Sequence, residues 1–473
     1  MSDIAKLNSK YAWRDLACQG LPKRSAHERA ADFLEIYGLY DEATAREQAS
    51  RCIQCPNPSC VNGCPLCNPI PQWLLLTAEG RFLEAAAVLG SVTNMAEICA
   101  RVCPSDHLCE GACLLEGISS PVAIQSIEQF LTEYAFAHNA IDASTAPPNG
   151  LKVAVVGSGP GGLACAEELA RRGFNVTVLD TELVPGGLLV NGTPAFKLDK
   201  TLVHRRLENL RKRGVKFDLG VKLWEEVTLD QLTANFDAVY LGWDARRART
   251  LQIPGVNLRG VFPAVPFLLQ KNTPISLDLP PIDVAGKRVI VLGGGDTAMD
   301  CLRAAIRYGA SKATCIYRRE QVDMPCGRHE YENALEEGAE FIFQAAPVEI
   351  LGTGEGAVTT IRVARTEASS EQINHRHPFR LLSGSNYDVR ADIVIPALGF
   401  EPVPCPHTEG FQGLKLNSWG GIVVDANQMT SLPKIFAGGD IVAGPGLILH
   451  AVRDARRAAL GIASFLKPKG RAA

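Results

Sequence analysis

The first part of the chain has apolar residues that recur every three or four positions, which is the helical period. Short stretches rich in cysteine and proline interrupt these segments. We therefore predict an N-terminal domain built from helices, with its cysteines in the connecting loops. The predicted helices cover residues 25–37, 41–51, 71–79, 81–89 and 123–138. The stretch 142–150 has the small, proline-rich composition of a linker.

Beyond the linker the pattern changes to short apolar strands that alternate with amphipathic helices. A strand at 151–156, a glycine turn, a helix ending at Arg172 and a second strand at 175–180 form a βαβ unit. A second unit starts at 287–292 and continues to a strand at 313–317, after a proline-rich break at 274–281. A strand at 393–395 and a strand–turn–helix block at 435–466 follow. We predict two dinucleotide-binding folds.

The first glycine turn matches the G-x-G-x-x-G fingerprint, between a strand and a helix. Its glycines permit a tight turn, close approach of the backbone to a pyrophosphate, and close helix–strand packing, while the helix N-terminus stabilises the phosphate charge. Asp180 ends the next strand and suits a ribose hydroxyl. The candidate cofactor-binding residues here are Gly157, Gly159, Pro160, Gly161, Gly162 and Asp180.

Two later motifs indicate which nucleotide binds at this turn. Gly187 and Leu188 follow Asp180 closely, and Gly439-Asp440 comes after a strand near the C-terminal end. Taken alone, the first is compatible with a plain turn and Asp440 with a helix N-cap. Their joint occurrence in this order favours FAD.

The second glycine turn comprises Gly293, Gly294, Gly295, Asp296 and Thr297, with alanine at the third fingerprint position. The strand that follows ends in Arg318 and Arg319 instead of an acid. Guanidinium groups pair with a 2′-phosphate that a carboxylate would repel, so this site is predicted to take NADPH. Arg328 is a third candidate, and a solvated basic pair is the alternative reading. Gly399, after the strand at 393–395, is a further cofactor-binding candidate.

Together these patterns predict an α/β chain with two Rossmann-like domains behind an α-helical domain. The expected boundaries are 1–146 for the helical domain, 147–282 with 400–473 for the FAD-binding domain, and 283–399 for the NADPH-binding domain inserted into it. A length of 473 residues suits about three domains.

Charge and hydropathy exclude several classes of protein. The net charge of -3 and the mean hydropathy near zero indicate neither a nucleic-acid-binding nor a membrane protein. No apolar run approaches the roughly 18 residues that span a bilayer. The first residues lack the apolar core of a signal peptide. We therefore expect a cytoplasmic protein.

Fifteen cysteines are many for such a protein, and ten of them lie within the first 113 residues. Disulfides are disfavoured in a reducing compartment, so clustered thiols indicate metal or redox chemistry. Thiolates bind iron–sulfur clusters or zinc. Structural zinc held by four thiolates, those of Cys52, Cys55, Cys60 and Cys64, is the alternative. The two redox-cofactor folds that follow favour iron–sulfur.

The chain resembles the small (β) subunit of NADPH-dependent glutamate synthase, a family that shares its module with the N-terminal part of dihydropyrimidine dehydrogenase. The resemblance runs nearly end to end. It rests on stretches such as residues 68–74, 101–104, 108–113, 186–189 with 196–198, 293–300, 317–319 and 436–440. Cys67 and Trp243 depart from the family pattern, which usually has histidine and a small residue at these positions.

The resemblance implies two [4Fe–4S] clusters with interleaved ligands. One would take Cys52, Cys55, Cys60 and Cys113. The other would take Cys64, Cys103, Cys109 and a fourth ligand matching Glu128. Cys99 would then lie near a cluster without binding it.

The resemblance further implies an electron-input subunit that oxidises NADPH through FAD and the clusters. Its partner would be a large (α) subunit that carries FMN and makes L-glutamate from L-glutamine and 2-oxoglutarate. Because the cofactors carry this chemistry, no catalytic side chain is nominated. Two alternatives stay open: an NADPH:acceptor oxidoreductase that acts alone or with another partner, and a non-enzymatic zinc-binding assembly protein.

Overall fold

A computed structural model describes residues 11–141, 144–243, 247–272, 282–354, 356–368, 378–401 and 410–467. The proline-rich break at 274–281 and the first residues, on which two of the expectations rest, lie outside these ranges. The described residues form a helical domain and two nucleotide domains, each with its own sheet.

The helical domain packs its helices around buried Trp73, Phe82 and Leu131. The helices predicted at 41–51, 71–79, 81–89 and 123–138 all form, within a few residues of the expected bounds. The described helices are α1 (Ala12–Asp15), α2 (Ala26–Ala30), α3 (Glu42–Ser50), α4 (Ser59–Gly63), α5 (Ile70–Ala78), α6 (Phe82–Val92), α7 (Ala96–Val102) and α8 (Ile124–Ala137), with a 3₁₀ turn at Ser105–His107.

The long helix predicted over residues 25–37 is wrong. Ser25 and Glu28 form a capping box that starts α2, but the helix ends five residues later. The chain then leaves the helical path, and Phe33 and Ile36 pack into the core of the second nucleotide domain. Their helical spacing therefore reflects contacts with another domain, and a tertiary contact overrides the local pattern.

The strands follow in chain order: β1 (Lys152–Val156), β2 (Asn175–Asp180), β3 (Lys216–Leu219), β4 (Ala238–Leu241), β5 (Arg247–Ala248), β6 (Arg288–Leu292), β7 (Lys312–Ile316), β8 (Glu340–Ile342), β9 (Ala345–Gly352), β10 (Val358–Ala368), β11 (Phe379–Leu381), β12 (Tyr387–Arg390), β13 (Ile393–Pro396), β14 (Phe400–Glu401) and β15 (Ile435–Ala437). The helices among them are α9 (Pro160–Arg171), α10 (Leu188–Asn191), α11 (Lys200–Lys212), α12 (Leu229–Asn235), α13 (Ala264–Asn272), α14 (Asp296–Arg307), α15 (Arg328–Glu336), α16 (Asp440–Ala443) and α17 (Ile448–Leu466).

Two parallel sheets define the nucleotide domains. The first has the order β15-β4-β1-β2-β3, and the second has the order β13-β6-β7-β8. Strand β15 returns from the far end of the chain to the first sheet, so the second domain interrupts the first. The pair β5–β14 joins the two connecting segments, and β9–β12 form a separate antiparallel sheet. The predicted fold class is confirmed.

Buried ion pairs dock the helical domain on the first nucleotide domain. Arg206 of α11 donates two hydrogen bonds to Glu97 of α7, at 2.6 and 2.7 Å, and one to Glu167 of α9, at 2.7 Å. All three side chains are buried. Burial of these charges is tolerated because every one of them is paired.

A second set of ion pairs joins residues 21–38, which we call the N-terminal strap, to the second nucleotide domain. Buried Arg29 pairs with Glu336 and Glu337 of that domain, and Lys23 pairs with Glu336 at 2.6 Å. The strap therefore bridges the helical domain and the second nucleotide domain.

Among the described residues, no single helix is long and apolar enough to cross a membrane. Helices α6 and α7 together meet the length and composition but are bent by 86°.

Replacing Arg206 by methionine should lower the free energy of unfolding by about 3–5 kcal/mol, because it leaves the buried carboxylate of Glu97 without a counter-charge, whereas Glu167 keeps its pairing with Arg171 at 3.0 Å. Exposed Lys212 at the end of the same helix supplies the control, and Lys212→Ala should change this free energy by less than about 0.5 kcal/mol. Urea unfolding of the three proteins measures the difference. Equal stability of R206M and K212A would contradict a docking role for Arg206.

Candidate cofactor sites

The first glycine turn is closed by contacts that only glycine allows. Gly157 has a φ of 98°, and a Cβ on Gly162 would lie 1.8 Å from the carbonyl oxygen of Gly157. Helix α9 follows at once, with Gly159 as its N-cap and Pro160 in its first turn. The free N–H groups of this helix end face the turn, which suits a pyrophosphate.

Asp180 at the end of β2 holds this turn in shape. Its Oδ2 accepts hydrogen bonds from the amide and the hydroxyl of Ser158, both at 2.6 Å, and its Oδ1 accepts one from Glu182 N at 3.0 Å. The carboxylate is buried. Asp180 thus lies beside the glycine turn, at the sheet edge where a ribose is expected.

A cavity of about 90 Å³, which we call the FAD pocket, brings together five of the first-site candidates, namely Pro160, Gly161, Leu188, Gly439 and Asp440. The other candidates, Gly157, Gly159, Gly162, Asp180 and Gly187, do not line it. Gly187 and Gly439, with φ of 55° and 77°, precede α10 and α16 and turn both helix starts toward it. The positive φ explains why glycine occupies both positions. Its lining comprises Pro160, Gly161, Leu188, Leu189, Thr193, Gly242, Trp243, Gly438, Gly439, Asp440, Gly446, Leu447, Ile448 and Ala451.

Lys200 supports this pocket and was missed in the sequence because it belongs to no fingerprint. Its Nζ donates to the carbonyl oxygens of Leu189 and Thr193, the former at 2.8 Å. Burial lowers the pKa of Lys200 to about 8. The side chain fixes the segment from α10 to Thr193 against α11.

The second glycine turn is equally tight. A Cβ on Gly293, whose φ is 140°, would lie 2.3 Å from the oxygen of Ala397, and one on Gly294 would lie 2.6 Å from the ring of Tyr317. Gly295 is the N-cap of α14, whose first residues are Asp296 and Thr297. Gly399, with φ of 90°, lies between β13 and β14. This geometry suits a second pyrophosphate.

Arg318 and Arg319 follow β7 next to this turn. Their guanidinium carbons lie 4.9 and 5.8 Å from the ring centre of Phe379. Thr366 Oγ1 donates to the Arg318 carbonyl at 2.8 Å. The ring and the backbone bond hold both cations at the sheet edge. The third candidate, Arg328, starts α15 and has its guanidinium 3.9 Å from Glu116 of the helical domain.

Four cysteines meet in a small cavity of about 20 Å³, the first cysteine pocket. They are Cys52, Cys55, Cys60 and Cys113, the set that the family resemblance assigns to one cluster. Gln54 Nε2 donates to the Cys52 sulfur at 3.4 Å. Grouping the cysteines by their order along the chain would have placed Cys64 in this set in place of Cys113. The fold brings Cys113 from a distant loop instead.

A second cavity of about 30 Å³, the second cysteine pocket, is lined by Cys64, Cys103, Cys109 and Glu128. This is the set assigned to the other cluster. Cys99 also lines it. Burial raises the pKa of Cys64, and the nearby backbone amides of Asn68 and Leu66 partly offset this rise. Exposed Cys67 lines neither pocket.

Burial disfavours the charged forms of the cysteine and glutamate side chains in these pockets. It raises the pKa of Cys52 to about 11, that of Cys60 to about 12 and that of Glu128 to about 8. The pKa of Cys109 is also raised well above its ordinary value by burial. A bound metal centre reverses this preference because its positive charge stabilises coordinated thiolates. The donor sets are therefore suited to a bound metal centre that carries positive charge.

The described residues show how the donors are grouped. No three Cys, His, Asp or Glu side chains among them converge as ligands of a single ion. The donors instead divide between two cavities, each lined by the four residues that the family resemblance assigns to one cluster.

Several residues at the second cysteine pocket were not predicted. Gln125 donates to the Cys103 carbonyl at 2.8 Å and accepts from Ser105 Oγ at 2.8 Å. Leu449 of α17 lines the same pocket. Gln125 lies three residues before Glu128, but no pattern in the sequence marks Leu449, because its contact joins distant parts of the chain.

Leu449 shows how the pockets are ordered. Its neighbours Leu447, Ile448 and Ala451 line the FAD pocket, so one turn of α17 separates that pocket from the second cysteine pocket. Ile124 borders both cysteine pockets. The lining of the first cysteine pocket belongs to the helical domain alone, so this pocket lies beyond the second one.

A larger cavity of about 420 Å³ lies on the other side of Cys103. Cys103 and Gln125 border it on the helical side, and Asp296 and Arg328 border it on the side of the second nucleotide domain. Open space therefore separates the second glycine turn from the second cysteine pocket. By contrast, α17 of the first nucleotide domain lines both that pocket and the FAD pocket.

Comparison with known families defines the class of protein. Residues 29–140 match the family described as dihydropyrimidine dehydrogenase domain II, 4Fe-4S cluster, and residues 151–455 match pyridine nucleotide-disulphide oxidoreductase. The described fold is similar to FprA from Mycobacterium tuberculosis in complex with NADPH, with a TM-score of 0.57 and 22% identity over 68% of this chain and 85% of that one. The chain is a flavin-dependent oxidoreductase with an iron–sulfur domain.

Curated relatives narrow this class. The chain is 41% identical to the glutamate synthase [NADPH] small chain of Azospirillum brasilense, over 95% of both chains. It is 40% identical to that of Escherichia coli strain K12, over 97% of this chain and 99% of the relative. The chain belongs to the family of glutamate synthase [NADPH] small chains, which confirms the resemblance. It is also 41% identical to the putative oxidoreductase AegA of Escherichia coli, covering 70% of that longer protein.

Replacing Gly162 by alanine should reduce the bound FAD at least about tenfold, because the new Cβ would push α9 away from β1 by the contact described above. Flavin absorbance per chain measures this, and NADPH binding should be retained. Gly90→Ala in α6 is the control, since a Cβ there meets no atom within 4 Å. Full FAD content in G162A would contradict the assignment of this turn.

Proposed function

We propose that this chain is the electron-input subunit of a glutamate synthase, oxidising NADPH and delivering electrons to a larger partner chain. The observation that carries the proposal is the adjacency of the FAD pocket and the second cysteine pocket across the first turn of α17. That adjacency gives electrons a short path out of the flavin domain. The order of sites, from the second glycine turn to the first cysteine pocket, suits this direction.

When bound, FAD converts a two-electron hydride donor into a source of single electrons for iron–sulfur clusters. The chain's own residues bind the cofactors and orient them. The N-terminus of α9 and Asp180 hold the FAD phosphates and ribose, and Arg318 with Arg319 selects the 2′-phosphate of NADPH. No side chain needs to act as acid, base or nucleophile.

The cysteine pockets would hold two [4Fe–4S] clusters. Cys52, Cys55, Cys60 and Cys113 would bind the first. For the second, Cys64, Cys103 and Cys109 would supply three thiolates, with Glu128 as the fourth ligand because its carboxyl group lines the same pocket. The match of residues 29–140 to a 4Fe-4S cluster family argues against the zinc-binding assembly protein.

The partner would be the large glutamate synthase subunit, with FMN and the site that makes L-glutamate from L-glutamine and 2-oxoglutarate. The name "small chain" of the relatives supports such a partner. We further propose the domain boundaries 1–146, 147–282 with 400–473, and 283–399, and a cytoplasmic location.

A second candidate is an NADPH:acceptor oxidoreductase with a different partner. The likeness to AegA and to UacF, another putative oxidoreductase of Escherichia coli, favours it, because both are about as similar to this chain as the glutamate synthases are. Anaerobic purification from the native cell separates the candidates. A co-purifying FMN-containing large chain, with glutamate formed only when both are present, supports the first. Rapid NADPH oxidation without such a chain supports the second.

Metal analysis tests the number of clusters. The anaerobically purified chain should contain about eight irons and eight sulfides, since two [4Fe–4S] clusters hold four each. Cys113→Ser and Cys109→Ser should each remove about half of the iron, and Cys67→Ser should remove none because Cys67 lines neither pocket. Zinc in place of iron would overturn the proposal, and four irons in the wild type would limit it to one cluster.

Arg318→Ala with Arg319→Ala should reduce the preference for NADPH over NADH, as the ratio of kcat/KM values, by at least about 100-fold. Each charge-assisted bond to the 2′-phosphate contributes about 1.5–3 kcal/mol, and the double variant removes two of them. Lys312→Ala, at the opposite end of β7, should leave the ratio unchanged. An unchanged ratio in the double variant would mean that other residues recognise the phosphate.

A further inference from the structure

The FAD pocket contains one feature that neither the fingerprints nor the comparisons explain. Among the described residues that line it, Trp243 is the one aromatic side chain, and most of the others are glycines or small aliphatic residues. Trp243 comes two residues after the end of β4 and is half-buried. A large aromatic residue in a pocket that is also lined by five glycines requires an explanation.

The backbone of Trp243 is anchored against the first glycine turn. A Cβ on Gly157 would lie 2.6 Å from the carbonyl oxygen of Gly242 and 3.2 Å from the amide nitrogen of Trp243. Gly161, in the first turn of α9, and Asp440, the first residue of α16, line the same pocket. Trp243 therefore shares the pocket wall with these two helix starts.

Two further aromatic rings hold the indole in place. Trp224 lies 5.5 Å from it with the ring planes at 66°, and Phe411 lies 6.3 Å from it at 73°. Trp224 and Phe411 also meet edge to face, at 4.8 Å. Edge-to-face contacts of this kind fix the ring orientations. We call these three residues the aromatic triad.

The aromatic triad is kept at a conformational cost. Trp224 has a φ of 73°, in the left-handed region that a bulky side chain rarely adopts. Its amide donates to the Val227 carbonyl at 2.9 Å, which holds the turn. Such backbone strain is found preferentially where a ligand or active site depends on the local geometry. In this protein the strained backbone of Trp224 places its ring against that of Trp243.

We propose that Trp243 is a FAD-contacting residue whose indole forms part of the wall of this pocket and would shield bound FAD from water. This inference rests on the proposed FAD site and names a further determinant of binding there. In a drier site the dipole of α9 would act more strongly on the charge of a bound phosphate. Loss of the indole should therefore weaken FAD binding.

The test measures FAD binding to cluster-loaded protein from which FAD has been removed. Trp243→Ala should raise the Kd for FAD about tenfold and speed its dissociation similarly, because it removes most of the aromatic contact area. Trp243→Phe keeps an aromatic cover and should stay within about threefold of the wild type. Trp419→Ala is the matched control: this tryptophan is 46% exposed, lies outside the pocket lining and should have no effect.

The outcomes separate this inference from the proposed function. If the wild type binds no FAD, the proposed function fails. If the wild type binds FAD and W243A matches it, the FAD site stands and the role of Trp243 is overturned. Iron content and thermal unfolding of the FAD-free proteins report whether each variant folds. Should W243A not fold, Trp243→Leu keeps an apolar side chain against Trp224 and Phe411. Its Kd for FAD is then compared with that of the wild type, and equal values would overturn the role of Trp243.

Discussion

The buried pairing of Arg206 with Glu97 and Glu167 is the interaction on which the electron path depends. Glu97 lies on α7, the helix that leads into Cys103, and Glu167 lies on α9, the helix that starts at the first glycine turn. One guanidinium therefore links the helix that positions the second cysteine pocket to the helix that positions FAD. Because an unpaired charge in this place would be costly, the two helices are held in a single arrangement.

The second nucleotide domain is held in a similar way, by the N-terminal strap. Arg29 is buried against Glu336 and Glu337, while Glu35 of the same strap accepts from Arg101 of α7 at 2.8 Å. Domains joined by short connections generally move relative to one another unless their interface is extensive. Here charged side chains tie all three domains together, which suits a chain that passes electrons between fixed centres.

Much of the site follows from local patterns. The glycine turns, Asp180 and the Arg318–Arg319 pair could be identified from the sequence because each lies at the end of a strand with a regular apolar pattern. Lys200 and Leu449 could not be identified from the sequence in this way. Each acts through contacts made by folding, and neither belongs to a motif with fixed spacing.

By itself the sequence determined two nucleotide folds behind a cysteine-rich helical domain, and it predicted candidate residues for their cofactors. These depend on strand and helix periods and on glycines at positive φ, which are properties of neighbouring residues. Only the tertiary structure decided that residues 31–37 leave the helix to join another domain and that one turn of α17 separates two pockets. It also brings Cys113 to the pocket of Cys52, a grouping that the family resemblance implied but that the spacing of the cysteines did not. Those relations join residues far apart in the chain, and packing and buried charge select them.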